Sequence, residues 1–230
     1  MTSDDQKRAA AVRAVEFVEA GMALGLGTGS TAEHFVRELA VRVRAGLKVR
    51  ATSTSERTEA LAKELGIPVV TLDELGAPDI TVDGADEVDN QLRLIKGAGG
   101  ALLREKVVAA ASKRMIVIAD GSKRVAALGA FPLPVELVTF APQTTMRRIA
   151  ETVARAGCSG NLIRLRGGEH PFRTDQGNFI ADVDCEFIPN PDELSRALHA
   201  IPGVVEHGLF IGICGTLILG HATEVEIVNL

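Results

Sequence analysis

Between residues 22 and 120, short apolar runs alternate with longer amphipathic stretches. "MALGL" has the pattern of a short buried strand. From residue 30 to 45 the apolar positions Ala32, Phe35, Val36, Leu39, Ala40 and Val43 recur at helical spacing and form one stripe. Upstream, residues 3–20 read as a helix, with Ser3 and Gln6 as a capping box and Gly21 as its stop. A strand over 49–52 and a helix over 55–65, ended by Gly66, come next. "IPVVTL", "DITVDGAD" and "RMIVIAD" supply further strands, with a helix over 101–111 before the last. Strands that alternate with helices predict right-handed crossovers and a mostly parallel α/β sheet.

After about residue 125 the rhythm changes. "PLPVELVTFA" reads as a strand and "PQTTMRRIAETVARAG" as a helix. "NLIRLRGG" and "FIADVDCEF", joined by the turn-like "EHPFRTDQGN", read as hairpin strands. "NPDELSRALHAI" is a capped helix and "GVVEHGLF" a strand. That order suits a small antiparallel α+β domain. The apolar tail "FIGICGTLILG…VEIV" is expected to rejoin the first sheet. The expected domains are therefore 1–127 with about 209–230, and a smaller one over about 128–208.

Composition narrows the picture. Of 230 residues, 46% are hydrophobic and 24% charged, which suits a packed globular core. Trp and Tyr are absent and there are 8 Phe, so that core is aliphatic. A net charge of -5 argues against nucleic acid or an anionic membrane as partner. The apolar runs fall short of the roughly 20 residues that span a bilayer, and the N-terminus does not resemble a signal peptide. The 3 isolated cysteines, Cys158, Cys185 and Cys214, fit a reducing cytoplasm. With no C-x-x-C and 5 scattered His, no metal site is expected.

Candidate chemistry begins at "GLGTGSTA". Gly25, Gly27 and Gly29 follow a strand and lead into a helix, as where backbone amides cradle a phosphate. A dinucleotide fingerprint needs a third glycine where Ser30 stands, and an acidic residue after the next strand, where "TSTS" stands instead. The hydroxyls of Thr28, Ser30 and Thr31 favour a terminal phosphate or a small polyol. The alternative is a tight turn with a Ser or Thr cap. No lysine-bearing triphosphate loop is present.

"TVDGADEVD" puts Asp83 and Asp86 just after a buried strand, where parallel sheets bind ligands. Two carboxylates there orient hydroxyls or move protons. A solvated Asx-type turn, which Glu87 and Asp89 also fit, is the other reading, and a Mg²⁺ site a third. In "LIKGAGGALLREKVVAAA", Lys96 precedes glycines that admit close backbone approach. Glu105 has only apolar helical neighbours: Ala101, Leu102, Val108 and Ala109. Desolvation on such a stripe raises a carboxyl pKa toward that of a base for a carbon-bound proton. The alternative is a glutamate that reaches water or a distant lysine at the stripe's edge. Lys123, after another strand, and Lys7, early in the first helix, are either phosphate anchors or ordinary surface lysines.

"GLGTGSTA", "TSTSERTEALAKELGIP", "DGADEVD", "KGAGGALLREK" and "IADGSK" stand here in order and at close spacing. Together they resemble the ribose-5-phosphate isomerase A family, most strongly over residues 7–125. A weaker likeness runs through "TDQGNFIAD" and "PGVVEHGLF". The resemblance implies interconversion of D-ribose 5-phosphate and D-ribulose 5-phosphate in the pentose phosphate pathway, with no metal and no organic cofactor. It implies a Rossmann-like larger domain, a ferredoxin-like smaller one, and a cytoplasmic homodimer or homotetramer. By the same likeness Glu105 is the proton acceptor. The substrate-binding segments fall on Thr28, Gly29, Ser30 and Thr31; on Asp83, Gly84, Ala85 and Asp86; on Lys96, Gly97, Ala98 and Gly99; and on Lys123 and Lys7. The tail "CGTLILGHATEVEIVNL" lies where the family varies. Rival readings are a non-catalytic sugar-phosphate sensor, a nicotinamide oxidoreductase, an amino-sugar phosphate isomerase and a glutamate-dependent CoA transferase.

Overall fold

The alternating half of the chain folds around a six-stranded sheet, seen in a computed structural model that describes residues 2–230. The chain separates into two units. The first takes in the chain up to Ala85, then Arg104–Lys123 and Gly212–Leu230; the second takes in Asp86–Leu103 and Arg124–Ile211.

In the first unit the helices are α1 (Ser3–Val15), α2 (Ser30–Arg44), α3 (Glu56–Glu64), the one-turn α4 (Leu72–Leu75) and α5 (Leu102–Ala111), which begins at the boundary. The strands are β1 (Ala23–Leu26), β2 (Arg50–Ser53), β3 (Ile80–Asp83), β6 (Met115–Asp120), β12 (Cys214–Gly220) and β13 (Val225–Asn229). Their order is β13-β12-β6-β3-β1-β2. All neighbours are parallel except β12 and β13, so the tail rejoins this sheet. Every residue of β6 is buried, because helices cover both faces of a parallel sheet. Leu24, Leu26, Ile80, Val82, Ile116 and Ile118 meet Ala10, Ala14, Phe35, Val36 and Leu39 in an aliphatic core.

Two local expectations are corrected. The N-cap of α1 is Thr2, not Ser3, and its box partner is Asp5, not Gln6. The Asp5 carboxylate accepts from the Thr2 N–H at 2.8 Å, and the Gln6 N–H is already committed to the Thr2 carbonyl at 3.1 Å. The helix also ends at Val15, because the next three amides turn back to carbonyls three residues earlier. "IPVVTL" is not a strand. It makes one bridge, Ala51 to Val69, since Pro68 lacks the N–H that would extend the ladder and Thr71 caps α4.

The second unit runs β7 (Leu133–Leu137), α6 (Pro142–Arg155), β8 (Leu162–Leu165), β9 (Phe179–Asp184), α7 (Pro191–His199) and β10 (Val204–His207). The antiparallel order β10-β7-β9-β8 is that of a ferredoxin-like fold. Leu133, Val135, Ile149, Val153, Val183, Leu194 and Leu198 fill its core. Sequence periodicity did not reveal the small sheet β11-β5-β4, formed by Leu209–Phe210, Leu94–Ile95 and Glu87–Val88. Its strands of two residues are too short to carry a periodic signal.

Candidate active site

In the first unit the glycine run brings β1 and β3 close together. A Cβ on Gly25 would lie 1.9 Å from Thr81 Oγ1, and one on Gly27 2.2 Å from Asp83 Oδ1. Gly29, with φ 106° and ψ 172°, adopts a conformation closed to other residues and starts α2. No side chain caps α2, so the amides of its first turn face outward with the positive end of the helix dipole.

Asp83 is fully buried at the end of β3. Its Oδ1 accepts from the N–H of Thr28 at 3.0 Å and of Gly84 at 2.7 Å, which ties the glycine loop to the acidic turn. The hydroxyl of Thr28 is engaged inside the protein, with Thr54 Oγ1 at 2.7 Å, Ser55 Oγ at 2.8 Å and Thr58 Oγ1 at 3.3 Å. That leaves Ser30 and Thr31 as the hydroxyls nearest the start of α2. The hydroxyl-rich strand end "TSTS" thus supplies part of the loop's support, a link that no local pattern in the sequence shows.

Lys7 donates from Nζ to Ser30 Oγ at 3.1 Å, so α1 delivers a cation to the same helix start. Lys123 closes the one-turn helix that follows β6. Beside it stands Asp120, 2% exposed. Burial pushes its carboxyl up, but the Ser122 hydroxyl and N–H, the Ser3 hydroxyl and the Lys123 charge outweigh this and hold it below the usual carboxylate value. Glu105 is 3% exposed, and Val108 and Ala109 on the same helix face are equally buried. The stripe therefore lies inside, and the glutamate with it.

The second unit holds the remaining candidates. Lys96 follows β5, is 2% exposed, and places Nζ 5.5 Å from the centre of the Phe210 ring. Its N–H donates to the Gly208 carbonyl at 2.9 Å. Gly97 (φ 111°) and Gly100 (φ 81°) turn the chain through conformations that favour glycine. Asp86 Oδ2 accepts from the Ala98 N–H at 2.9 Å, which holds the acidic turn to the lysine loop. Ala98 and Gly99 are exposed.

Glu87 and Asp89 are not solvated turn residues. Glu87 accepts from the N–H of Gly129 at 2.7 Å and of Phe131 at 2.6 Å. Asp89 forms an Asx turn to Gln91 and pairs with Arg93, at 2% exposure. Both are buried because each carboxylate satisfies loop amides that water cannot reach.

Among the described residues one group gathers metal-type donor atoms within 4.8 Å of one another: His199, Glu206 and His207. The sequence had shown these histidines only as scattered. His207 Nδ1 accepts from the Leu209 N–H at 3.2 Å, which leaves the ring proton on Nε2, facing the Ser195 carbonyl at 3.1 Å. Both nitrogens are thus committed to the backbone, and the donor set does not suit a metal.

Carboxylates, lysines and helix-start amides at the carboxyl ends of a parallel sheet define an α/β enzyme of the kind that binds a small anionic ligand. The family model of ribose 5-phosphate isomerase A (phosphoriboisomerase A) matches residues 50–224. A ribose-5-phosphate isomerase A from Parvibaculum lavamentivorans is 59% identical, with both chains covered in full. The structure of ribose 5-phosphate isomerase A from Methanocaldococcus jannaschii superposes with a TM-score of 0.91 at 39% identity, over 100% of each chain. A D-ribose-5-phosphate isomerase in complex with phospho-erythronic acid superposes at 0.92 with 36% identity, again over 100% of each. The chain belongs to the ribose-5-phosphate isomerase A family, and it is an isomerase. No helix is long and apolar enough to cross a membrane.

Proposed function

We propose that Glu105 carries the proton by which this isomerase interconverts D-ribose 5-phosphate and D-ribulose 5-phosphate. The observation that carries the assignment is a carboxylate at 3% exposure on an apolar helix face. In the forward direction Glu105 removes the proton from C2 of the open-chain aldose. The C2–H electron pair forms the C1–C2 double bond, and the carbonyl electrons move to O1, giving a cis-enediolate. Return of the proton to C1, with transfer of the O2 hydroxyl proton to O1, yields the ketose. Only protons and electron pairs move between carbon and oxygen, so the step balances without a metal or redox cofactor.

Lys96 is assigned to the oxygens that gain negative charge. Asp86 is assigned to the hydroxyls, and Asp83 to opening of the furanose ring. The amides at the start of α2, with Ser30, Thr31, Lys7 and Lys123, take the phosphate. Binding energy at that end then positions the reacting carbons. Support comes from the relative bound to phospho-erythronic acid, a phosphorylated sugar acid whose carboxylate resembles the charge of the enediolate.

We also assign the reaction to the non-oxidative pentose phosphate branch in the cytoplasm, which three free thiols support. A homodimer or homotetramer is supported by the exposed Phe140, Leu162 and Phe187 of the second unit; light scattering reads the mass.

The deciding experiment is turnover of ribose 5-phosphate by wild type and Glu105→Gln, with and without a chelator. Wild type turns over in both, while Glu105→Gln loses about 10²–10⁴ in kcat. It also stops exchanging the C2 proton with deuterated solvent. A variant with near-normal kcat refutes the assignment.

A further inference from the structure

The lysine loop is held from outside by one side chain that the mechanism above does not use. Arg166, just past β8, donates from Nη1 to the carbonyls of both Gly97 and Ala98, each at 3.0 Å. Its Nε donates to Asp182 Oδ2 at 2.9 Å, and its Nη2 to Asp182 Oδ1. The guanidinium is thus locked by a bidentate carboxylate on β9 and aimed at two successive carbonyls. The Phe172 ring lies 5.9 Å from Arg166 Cζ and fills the space where a Cβ on Gly100 would stand, 2.5 Å away.

Peptide geometry gives this clamp a consequence. In a trans peptide the N–H points opposite to the preceding C=O. Turning the carbonyls of Gly97 and Ala98 toward Arg166 therefore turns the N–H groups of Ala98 and Gly99 away from it. The first of these holds Asp86 Oδ2 at 2.9 Å. The second belongs to an exposed residue of the substrate-binding segment. A cation on the carbonyl side also polarises both peptides and strengthens their N–H groups as donors. Only arginine has a planar fork that serves a carboxylate and two carbonyls at once.

We infer that Arg166, braced by Asp182, is a positioning residue for the isomerisation: it sets the Lys96–Gly99 loop so that the Gly99 N–H and Asp86 meet the sugar's oxygens. The inference rests on the site reading above. The phosphate anchors lie on other segments, so losing Arg166 acts on kcat more than on KM.

The test compares full-length wild type with Arg166→Met, Arg166→Lys, Arg166→Ala and Asp182→Asn, by steady-state turnover of ribose 5-phosphate and by thermal melting. Arg166→Met is expected to lower kcat about 10-fold or more, with KM changed less than about 3-fold, as misplacement of a positioned group does. Arg166→Lys keeps more turnover than Arg166→Met, because one ammonium still reaches a carbonyl. Methylguanidinium at tens of millimolar restores part of the kcat of Arg166→Ala and leaves wild type unchanged. A folded Arg166→Met within about twofold of wild-type kcat overturns the inference. So does a loss that follows melting alone, with no rescue. If Arg166→Met does not fold, Asp182→Asn and Arg166→Lys decide by the same kcat criterion. Failure of wild type to turn over sinks the site reading itself, whereas indifferent Arg166 variants beside an active wild type sink only this inference.

Discussion

Replacing Gly27 by alanine tests how the glycine loop works. The added Cβ would lie 2.2 Å from Asp83 Oδ1 and 2.5 Å from Asp83 Cα. The second contact is with backbone, so no rotamer change relieves it. Reaching an ordinary carbon contact requires about 1 Å of separation between the ends of β1 and β3. Three hydrogen bonds cross that gap or depend on it. Gly27 N–H donates to the Val82 carbonyl at 2.9 Å, Thr28 N–H to Asp83 at 3.0 Å, and Thr58 Oγ1 to the Gly27 carbonyl at 3.0 Å. Two neutral bonds at about 1 kcal/mol each and one to a carboxylate at about 1.5–3 kcal/mol are at risk. Overpacking adds about 1–3 kcal/mol but shares the same relaxation. The expected destabilisation is about 3–6 kcal/mol, a large part of a domain's stability. The measurement is urea unfolding followed by circular dichroism. Gly46→Ala is the control: Gly46 has φ 106°, but no atom lies within 4 Å of where its Cβ would stand, so only about 1–2 kcal/mol of backbone strain is expected there. If Gly27→Ala costs no more than Gly46→Ala, crowding against Asp83 is not what selects glycine.

Two further outcomes follow from the lysines and carboxylates of the first unit. Lys123→Ala removes the cation proposed to anchor the phosphate and is expected to raise KM about 10-fold or more while kcat stays within about 3-fold; the reverse pattern in steady-state kinetics moves Lys123 into the chemical step. Asp120→Asn is expected to lower stability by about 1.5–3 kcal/mol at pH 7. The folded pKa of Asp120 lies below the ordinary aspartate value of 3.8, so its contribution is present above that value and is lost as pH falls through the folded pKa. The gap between wild type and Asp120→Asn, followed by thermal melting, therefore narrows below about pH 4; a gap that stays constant to about pH 2 refutes the pairing.

Much of this molecule was legible in one chain. The period of Ala32, Phe35, Val36, Leu39 and Ala40 identified α2 and its buried face, because helical spacing alone decides which side chains align. The apolar stripe around Glu105 left burial and access to water both open, and the fold decided for burial. Glycines at 27 and 29, and the turn from a strand–helix to a strand–hairpin rhythm, marked the tight loop before α2 and the second sheet. What failed depended on neighbours far along the chain. "IPVVTL" has strand composition but lacks a full partner, and pairing is a property of two segments. Glu87 looks like a surface turn residue until the loop amides of Gly129 and Phe131 close over it.

The sequence by itself determined the class of the longer elements, the aliphatic core and the residue types offered to chemistry, since these follow from local periodicity and side-chain character. Tertiary structure alone decided which oxygen and which nitrogen meet. That Thr28 turns its hydroxyl onto Thr54 and Ser55, that Asp83 binds the Thr28 amide, and that Arg166 reaches two carbonyls 69 and 68 residues away are such cases. Hydrogen bonds act over about 3 Å, and only the folded backbone brings groups so distant in sequence within that reach.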